Sequence, residues 1–207
     1  MTYLIVALLL TISATALCCA SARWLGHQVL PPILAGSVVT SIFIAGKLGS
    51  IELFGFGEFA ITVSILVYSS TFLITDVISE LDGRQAAQRA VLGTALCYPL
   101  VLLTSQLSVH WAPSSFYDNQ AAFDSVMSFA GRITLASLVS YLVSQSIDVW
   151  TFHRIKQFTG ERHLWLRNNG STLFSQGIDT LIFYGLAFFG TVPLMTLLQQ
   201  QLSRRRM

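Results

Sequence analysis

The stretch GRITLASLVSYLVSQSIDVWTF, residues 131–152, decides the fold class, because it is long, apolar and interrupted by a single acid. As an α-helix with 1.5 Å rise per residue it would reach about 33 Å, which matches the hydrocarbon core of a bilayer. Arg132 stands near one end and Asp148 near the other, with no further charged side chain in the stretch. The stretch therefore predicts a transmembrane helix that keeps a carboxylate within the membrane.

The composition of the whole chain agrees with a membrane protein. Its 207 residues are 53% hydrophobic and only 11% charged, and the mean hydropathy is +0.64, whereas soluble domains are about 25% charged. The apolar runs are too long and too uniform for the strands of a membrane barrel. We predict one all-α polytopic transmembrane domain over residues 1–207, a bundle of about six helices. The predicted spans are 2–22, 29–46, 58–80, 88–109, 131–152 and 171–191.

The distribution of Lys and Arg predicts the orientation of this bundle. The segments at 23–28, 82–89 and 153–170 together carry seven positive residues, and the opposite side carries two before the C-terminal tail. Positive residues favour the cytoplasmic side, so these three segments are predicted to face the cytoplasm. The tail triplet, residues 204–206, opposes this bias.

Acidic and amide side chains recur inside three of the predicted spans. An Asp near the centre of a membrane helix costs about 2.5–3.5 kcal/mol on insertion scales, so such residues usually face a cavity and serve function. We therefore predict a single polar cavity that binds a substrate. Its predicted residues are Asp76, Glu80, Gln145, Asp148, Gln176 and Asp179. Two alternatives stay open: Glu80 forms an interfacial ion pair with Arg84, or the two glutamines only join helices.

The fifth and sixth spans contain a repeat. SYLVSQSIDVWTF (140–152) and STLFSQGIDTLIF (171–183) are identical at seven of thirteen positions, including Ser, Gln and Asp of the shared Ser-Gln-x-Ile-Asp motif. Because consecutive spans cross the membrane in opposite directions, the two copies are predicted to be inverted. Inverted repeats in transporters place the substrate site near the midplane, where the repeats meet.

These side chains also indicate the chemistry of the ligand. Carboxylates accept two parallel hydrogen bonds and amides both donate and accept, so a planar heterocycle with adjacent N–H donors, or a cation, fits better than an anion. Phe72 and Trp150 are candidates for flat apolar walls, with helix packing as the alternative. Arg132 is predicted to anchor its helix at the interface or to gate the outer mouth. Asn168 and Asn169 either contact the ligand or cap the sixth span.

Several function classes lack their sequence signals. Cys18, Cys19 and Cys97 lie within predicted spans and have no metal-site or disulfide spacing. A Gly-x-Gly-Asp motif of an intramembrane aspartyl hydrolase is absent from the sequence, and so is a G-x-x-x-x-G-K-[ST] phosphate loop. The sequence therefore predicts a protein that is not an enzyme and has no cofactor, and any use of ATP would need a separate partner.

The motifs resemble those of the queuosine precursor transporter family, which is also grouped with vitamin uptake transporters. The resemblance rests on TFLITDVISELDGR (71–84), NQAAFDSV (119–126) and the stretch 131–183, and covers roughly residues 65–190. The apolar segment 2–22 is an addition to the usual family pattern.

This resemblance implies a multi-pass protein of the bacterial inner membrane that imports 7-cyano- and 7-aminomethyl-7-deazaguanine. Its partners would be this small molecule and the lipid bilayer, with no nucleic acid, and a homo-oligomer stays open. Such a base offers a ring N–H and an adjacent exocyclic amine to the carboxylates. The alternative is a membrane subunit that binds a vitamin-like heterocycle and relies on a separate ATPase.

Overall fold

The computed structural model describes residues 2–53, 57–160 and 162–187, and these residues are largely helical. The prediction of a helical bundle is confirmed at this level. The α-helices are α1 (Thr2–Ala20), α2 (Ala22–Leu25), α3 (Leu30–Ile44), α4 (Ile65–Leu81), α5 (Gly83–Ala95), α6 (Cys97–His110), α7 (Gln120–Thr159) and α8 (Leu164–Ala187). A single 3₁₀ turn, His27–Val29, precedes α3.

A β-hairpin that the sequence did not predict lies between α3 and α4 of the otherwise largely helical chain. Strands β1 (Leu48–Leu53) and β2 (Gly57–Thr62) pair antiparallel, with Leu48 opposite Thr62 and Leu53 opposite Gly57. The third predicted span, 58–80, therefore begins in a strand, and its helix starts only at Ile65. Glycine lowers helix propensity, and the Phe, Ile and Thr of β2 are residues that favour strands.

Three other predicted spans also differ from the observed helices. The span 88–109 consists of α5 and α6, which meet at Leu96; Pro99 has no N–H with which to continue the hydrogen-bond ladder of α5. The span 131–152 is only the middle of α7, whose 40 residues reach about 60 Å. The span 171–191 lies on α8, which begins earlier, while residues 188–191 fall outside the described part of the chain.

The outer surface of the bundle is apolar. Among the residues that the structure describes, three helical segments are long and apolar enough to cross a membrane: Val6–Leu25, His27–Ile44 and Gly83–His110. Their large side chains point outward, as at Leu17 and Leu96, which are 72% and 74% exposed. Extended apolar surfaces of this kind mark contact with a membrane or a partner. Together with the low charge of the chain, they indicate a protein embedded in lipid.

The interior of the bundle is unusually polar. We call α4, α7 and α8 the central helices because the buried polar groups lie between them, although the outer face of α8 is exposed; α7 and α8 share the largest helix–helix interface. Buried Ser, Thr, Gln and Asp side chains are almost as numerous as buried apolar ones among the described residues. These polar groups lower the hydropathy of the three central helices, which explains why the most apolar segments lie on other helices.

Close packing of α8 against α7 at Gly170 leads to a stability prediction. A Cβ atom at Gly170 would lie 3.2 Å from Ile155 Cδ1, whereas a Cβ at Gly177 of the same helix meets no atom within 4 Å. Gly170→Leu should therefore destabilise the fold by about 1–3 kcal/mol through overpacking, and Gly177→Leu should not. Thermal unfolding of the detergent-solubilised variants measures this difference, and equal midpoints would contradict the packing described here.

Candidate functional site

Buried polar side chains form a continuous column between α4, α7 and α8. Tyr68 near the beginning of α4 and Ser144 of α7 both contact Asp179 in the later part of α8. Further along both helices, Thr75 of α4 contacts Gln145 of α7, and Asp148 of α7 contacts Ser175, which precedes Asp179 on α8. Helices α4 and α7 are therefore parallel here, and α8 runs antiparallel to both. We call the following set the polar column: Tyr68, Thr71, Thr75, Asp76, Ser140, Ser144, Gln145, Asp148, Thr172, Ser175 and Asp179.

Asp179 lies at one end of the polar column and is held by three hydroxyl groups. Its Oδ1 accepts hydrogen bonds from Tyr68 at 2.8 Å, Ser140 at 2.7 Å and Ser144 at 2.8 Å. Two of these donors belong to α7 and one to α4, so the carboxylate of α8 joins all three central helices. Charge-assisted bonds of this kind are stronger than neutral ones, which offsets part of the cost of placing an acid in the membrane.

A cavity of about 140 Å³ opens beside Asp179 and Gln176, between α3, α4, α7 and α8. We call it the Asp179 cavity. Four aromatic residues contribute to its walls: Tyr68, Tyr98, Phe183 and Tyr184. The hydroxyl of Tyr98 is buried and makes no hydrogen bond with another described residue. The cavity thus combines flat apolar walls with a carboxylate, an amide and a free hydroxyl.

Gln145 closes the middle of the polar column. Its side chain is fully buried. Thr75 donates a hydrogen bond to its Oε1 at 2.9 Å, and its Nε2 donates one to Thr71 Oγ1 at 2.9 Å. The amide therefore uses both of its ends to connect α7 with α4, as polar residues commonly do between membrane helices. In this position it separates the two ends of the column.

Asp76 and Asp148 meet at the other end of the polar column. Ser175 donates to Asp148 Oδ1 at 2.8 Å, and Thr172 Oγ1 lies 3.5 Å from Asp76 Oδ2. Thr172 and Ser175 are three residues apart on one face of α8, so the two carboxyl groups that they contact lie side by side. Within the described part of the chain, no side chain or backbone group donates to Asp76 Oδ1 or Asp148 Oδ2, although both atoms are buried.

A second cavity, of about 520 Å³, lies beside Asp76. We call it the Asp76 cavity. Glu80 of α4 and Asn168 of α8 contribute to its wall, and α1 closes the opposite side with small residues such as Ala16 and Cys19. The Asp179 cavity touches the beginning of α4 and the later part of α8, whereas this cavity touches the end of α4 and the beginning of α8. The two cavities therefore lie at opposite ends of the bundle.

The repeat noticed in the sequence becomes a reciprocal exchange of hydrogen bonds. Ser144 of the first copy donates to Asp179 of the second, and Ser175 of the second copy donates to Asp148 of the first, each at 2.8 Å. In both copies the serine precedes the aspartate by four residues, so both side chains face the same way on a helix. Antiparallel packing of α7 and α8 then brings each serine to the aspartate of the other helix.

The predicted site residues therefore do not share one cavity. Gln176 and Asp179 line one cavity, Asp76 and Glu80 line the other, and Gln145 is buried between the two ends. The expectation of a single cavity is corrected for a physical reason: the acids lie at different depths along parallel and antiparallel helices. In the sequence, the depth of an acid in the membrane can be judged only from its distance to the charged loops. These distances did not separate Asp179 from Asp76 and Asp148.

A buried ion cluster, which sequence reasoning missed, lies at the Asp76 end. Arg167 is only 1% exposed; it donates to Glu80 Oε1 at 2.9 Å and to the Gly160 carbonyl at 2.8 Å. Lys156 lies 3.3 Å from Glu80 Oε2. Glu80 thus pairs with α7 and α8, whereas the sequence suggested Arg84. A usable signal was the spacing of residues 167, 171, 175 and 179, which places Arg167 on the same face of α8 as Asp179.

The accessory residues fall into different surroundings. Phe72 is buried and meets Tyr68 edge to face, with ring centroids 5.9 Å apart. Trp150 is exposed and stacks against Arg154 on the outside of α7.

Asn168 lines the Asp76 cavity, whereas the exposed Asn169 bonds to a carbonyl of its own helix. Neither asparagine caps α8, which begins at residue 164; the side chain of residue 132 lies outside the described part.

Comparison with known proteins gives a family for most of the chain. A family model described as "Putative vitamin uptake transporter" matches residues 62–203. The match contains the whole polar column, while α1, α3 and most of the hairpin precede it. No solved structure matches the chain.

Three relatives carry similar names. The chain is 36% identical over 146 residues to a "Probable queuosine precursor transporter" of Bacillus subtilis (strain 168), covering 70% of this chain and 62% of the relative. It is 32% identical over 136 residues to the "Queuosine precursor transporter" of Escherichia coli (strain K12), covering 61% of this chain and 59% of the relative. It is 28% identical over 134 residues to a "Probable queuosine precursor transporter" of Haemophilus influenzae (strain ATCC 51907 / DSM 11121 / KW20 / Rd), covering 64% of this chain and 54% of the relative. The matches therefore cover less than two thirds of these relatives.

The buried ion cluster leads to a second stability prediction. Removing one partner of a buried ion pair leaves the other charge without compensation, which costs about 3–5 kcal/mol. Because Glu80 is 27% exposed, we expect Arg167→Gln to lie at about 3 kcal/mol, the lower end of that range. Arg154→Gln, on the exposed surface of α7, is the matched control. Unfolding of both variants in detergent measures the effect, and equal stability would show that Arg167 does not hold this end together.

Proposed function

Because the chain belongs to the putative vitamin uptake transporter family, we propose that it is a multi-pass inner-membrane transporter that imports queuosine precursors. The proposed substrates are 7-cyano- and 7-aminomethyl-7-deazaguanine. Family membership rests on the match to residues 62–203, and the substrate class follows the names of the three relatives. We assign six membrane crossings, formed by α1, α3, α4, the α5–α6 pair, α7 and α8.

The Asp179 cavity is the observation that carries this proposal. The three hydroxyl donors to Asp179 all bond to Oδ1, and no described residue donates to Oδ2. Oδ2 is therefore available as an acceptor for the ring N–H and the exocyclic amine of a 7-deazaguanine. The amide of Gln176 lines the same cavity and supplies a further donor and acceptor. Aromatic walls suit a planar ring, because stacked or edge-to-face contacts add to apolar burial.

The position of the two cavities supports alternating access. They lie at opposite ends of the polar column, and the Gln145 layer closes the passage between them. In the proposed orientation the Asp179 cavity faces outward and the Asp76 cavity faces the cytoplasm. The substrate binds at Asp179 and Gln176, passes Gln145 when its bonds to α4 break, and leaves past Asp148, Asp76 and Glu80. The two Ser-Gln-x-Ile-Asp copies act as an inverted repeat around this passage.

Replacing Asp179 tests the substrate site. Asp179→Asn removes the charge and turns one acceptor oxygen into a donor, so it weakens both substrate binding and the bonds from Tyr68, Ser140 and Ser144. Hydrogen bonds to charged groups contribute about 1.5–3 kcal/mol each, which predicts at least a tenfold loss of uptake at low substrate concentration. Labelled 7-cyano-7-deazaguanine is supplied to a bacterial strain that cannot make the precursor, and label in tRNA is measured.

Asp124→Asn is the matched control, because Asp124 is also an aspartate of a long helix but lies near the beginning of α7, where among the described residues its bond is to Gln120 at 2.8 Å. It should transport like the wild-type protein. Wild-type uptake by Asp179→Asn at equal membrane abundance would remove Asp179 from the site. Uptake by the purified protein in liposomes without ATP separates a self-sufficient transporter from a subunit that needs an ATPase partner.

A further inference from the structure

Two carboxyl groups buried side by side need a compensating positive charge or a proton, and the described protein atoms around Asp76 and Asp148 supply neither. Asp76 is 2% exposed and Asp148 is 0% exposed, their carboxyl groups lie side by side against α8, and each has a buried oxygen that receives no hydrogen bond from a described residue. Two ionised carboxylates placed side by side have only acceptor atoms and repel each other. One proton on the pair relieves this repulsion and lets the O–H of one group donate to the other, as in carboxyl pairs that share a proton.

The charged side chains around the pair in the described part of the chain do not compensate its negative charge in place of that proton. At this end of the elements around the pair, the titratable or charged side chains include Cys18 and Cys19 of α1, Arg23 of α2, His27, Glu80 of α4, Arg84 and Arg89 of α5, His153, Arg154 and Lys156 of α7, and Arg167 of α8. Arg167 and Lys156 pair with Glu80, and His27 pairs with Asp82. Throughout the described ranges, no Lys, Arg or His forms an ion pair with Asp76 or Asp148. Helix α3 contributes no titratable residue.

The proton site is mechanically joined to the Asp179 cavity. Ser175 holds Asp148 and Ser144 holds Asp179, and both bonds cross the same α7–α8 interface. A shift of α8 along α7 that releases Asp179 must also release Asp148, because both bonds connect the same two helices. Movement of one rigid helix would therefore affect both sites at once, which is a physical basis for coupling between sites.

We propose that the Asp76–Asp148 pair binds one proton in each transport cycle and carries it inward together with the substrate. This inference rests on the transport function proposed above and adds that the proton gradient supplies the energy for uptake. The pair takes the proton from the outer side when the column opens toward the Asp179 cavity. It loses the proton when the Asp76 cavity opens to cytoplasmic water, which solvates both carboxylates. The pair then alternates between one bound proton and none, and each cycle moves one proton and one substrate molecule.

The test uses the full chain purified and reconstituted in liposomes that contain a pH-sensitive dye. Radiolabelled 7-cyano-7-deazaguanine is added with an acidic exterior, with equal pH, with a protonophore and with a Na⁺ gradient. Exchange of labelled for unlabelled substrate at equal pH is measured in parallel. The wild-type protein should acidify the interior by one proton per substrate molecule. It should accumulate substrate up to about tenfold per unit of pH gradient, because one proton carries 2.303RT per pH unit. The protonophore should abolish accumulation.

Two variants locate the proton in this pair. Asp148→Asn and Asp76→Asn should lose at least nine tenths of the substrate-driven acidification, while Asp124→Asn should keep it. Variants that elute as folded protein and still move one proton per substrate would overturn the assignment. Where a variant does not fold, the stoichiometry of the wild-type protein decides.

The outcomes separate the inference from the proposed function. If the wild-type protein exchanges substrate but moves no proton, or accumulates substrate only with a Na⁺ gradient, the proton site is wrong and the transport function stands. If it neither takes up nor exchanges substrate under any gradient, the proposed function fails and the inference with it.

Discussion

The reciprocal bonds between Ser144 and Asp179 and between Ser175 and Asp148 are the interaction on which the rest of the structure depends. A carboxylate inside a membrane protein is tolerated when hydrogen bonds or a water-filled cavity compensate it. Here each of the two central helices supplies the donor for the acid of the other. This requirement fixes both the antiparallel direction and the axial register of α7 and α8, because a shift by one turn would separate both pairs.

The remaining helices are arranged around this constraint. Helix α4 joins through Gln145, Tyr68 and Asp76, so all three central helices turn their polar faces inward. The helices that contribute few groups to the polar column, such as α1 and α6, can expose apolar side chains to lipid. The result is the reverse of a soluble protein, in which polar residues cover an apolar core. Long-range hydrogen bonds hold the centre together, and lipid replaces water around it.

The two ends of the polar column differ in charge and in access. At the Asp179 end a single acid is fully occupied on one oxygen and faces an aromatic cavity. At the Asp76 end two acids lie side by side, and the neighbouring Glu80 forms ion pairs with Arg167 and Lys156. This ion cluster connects α4, α7 and α8 beside the Asp76 cavity. Such asymmetry is what a protein needs if it is to bind a ligand at one end and release it at the other.

The sequence by itself determined that the chain is a membrane protein, which family it belongs to, and which acidic residues lie within membrane helices at an energetic cost. Composition, helix-length apolar runs and the Ser-Gln-x-Ile-Asp copies are local features, so they can be read without knowing which helices meet. Only the tertiary structure decided that Asp76 lies beside Asp148 while Asp179 has its own cavity, and that Arg167 pairs with Glu80 across 87 positions. Partners so far apart in sequence follow from helix direction and register, which local patterns do not encode. The hairpin before α4 was missed because its apolar residues resemble the start of a membrane span.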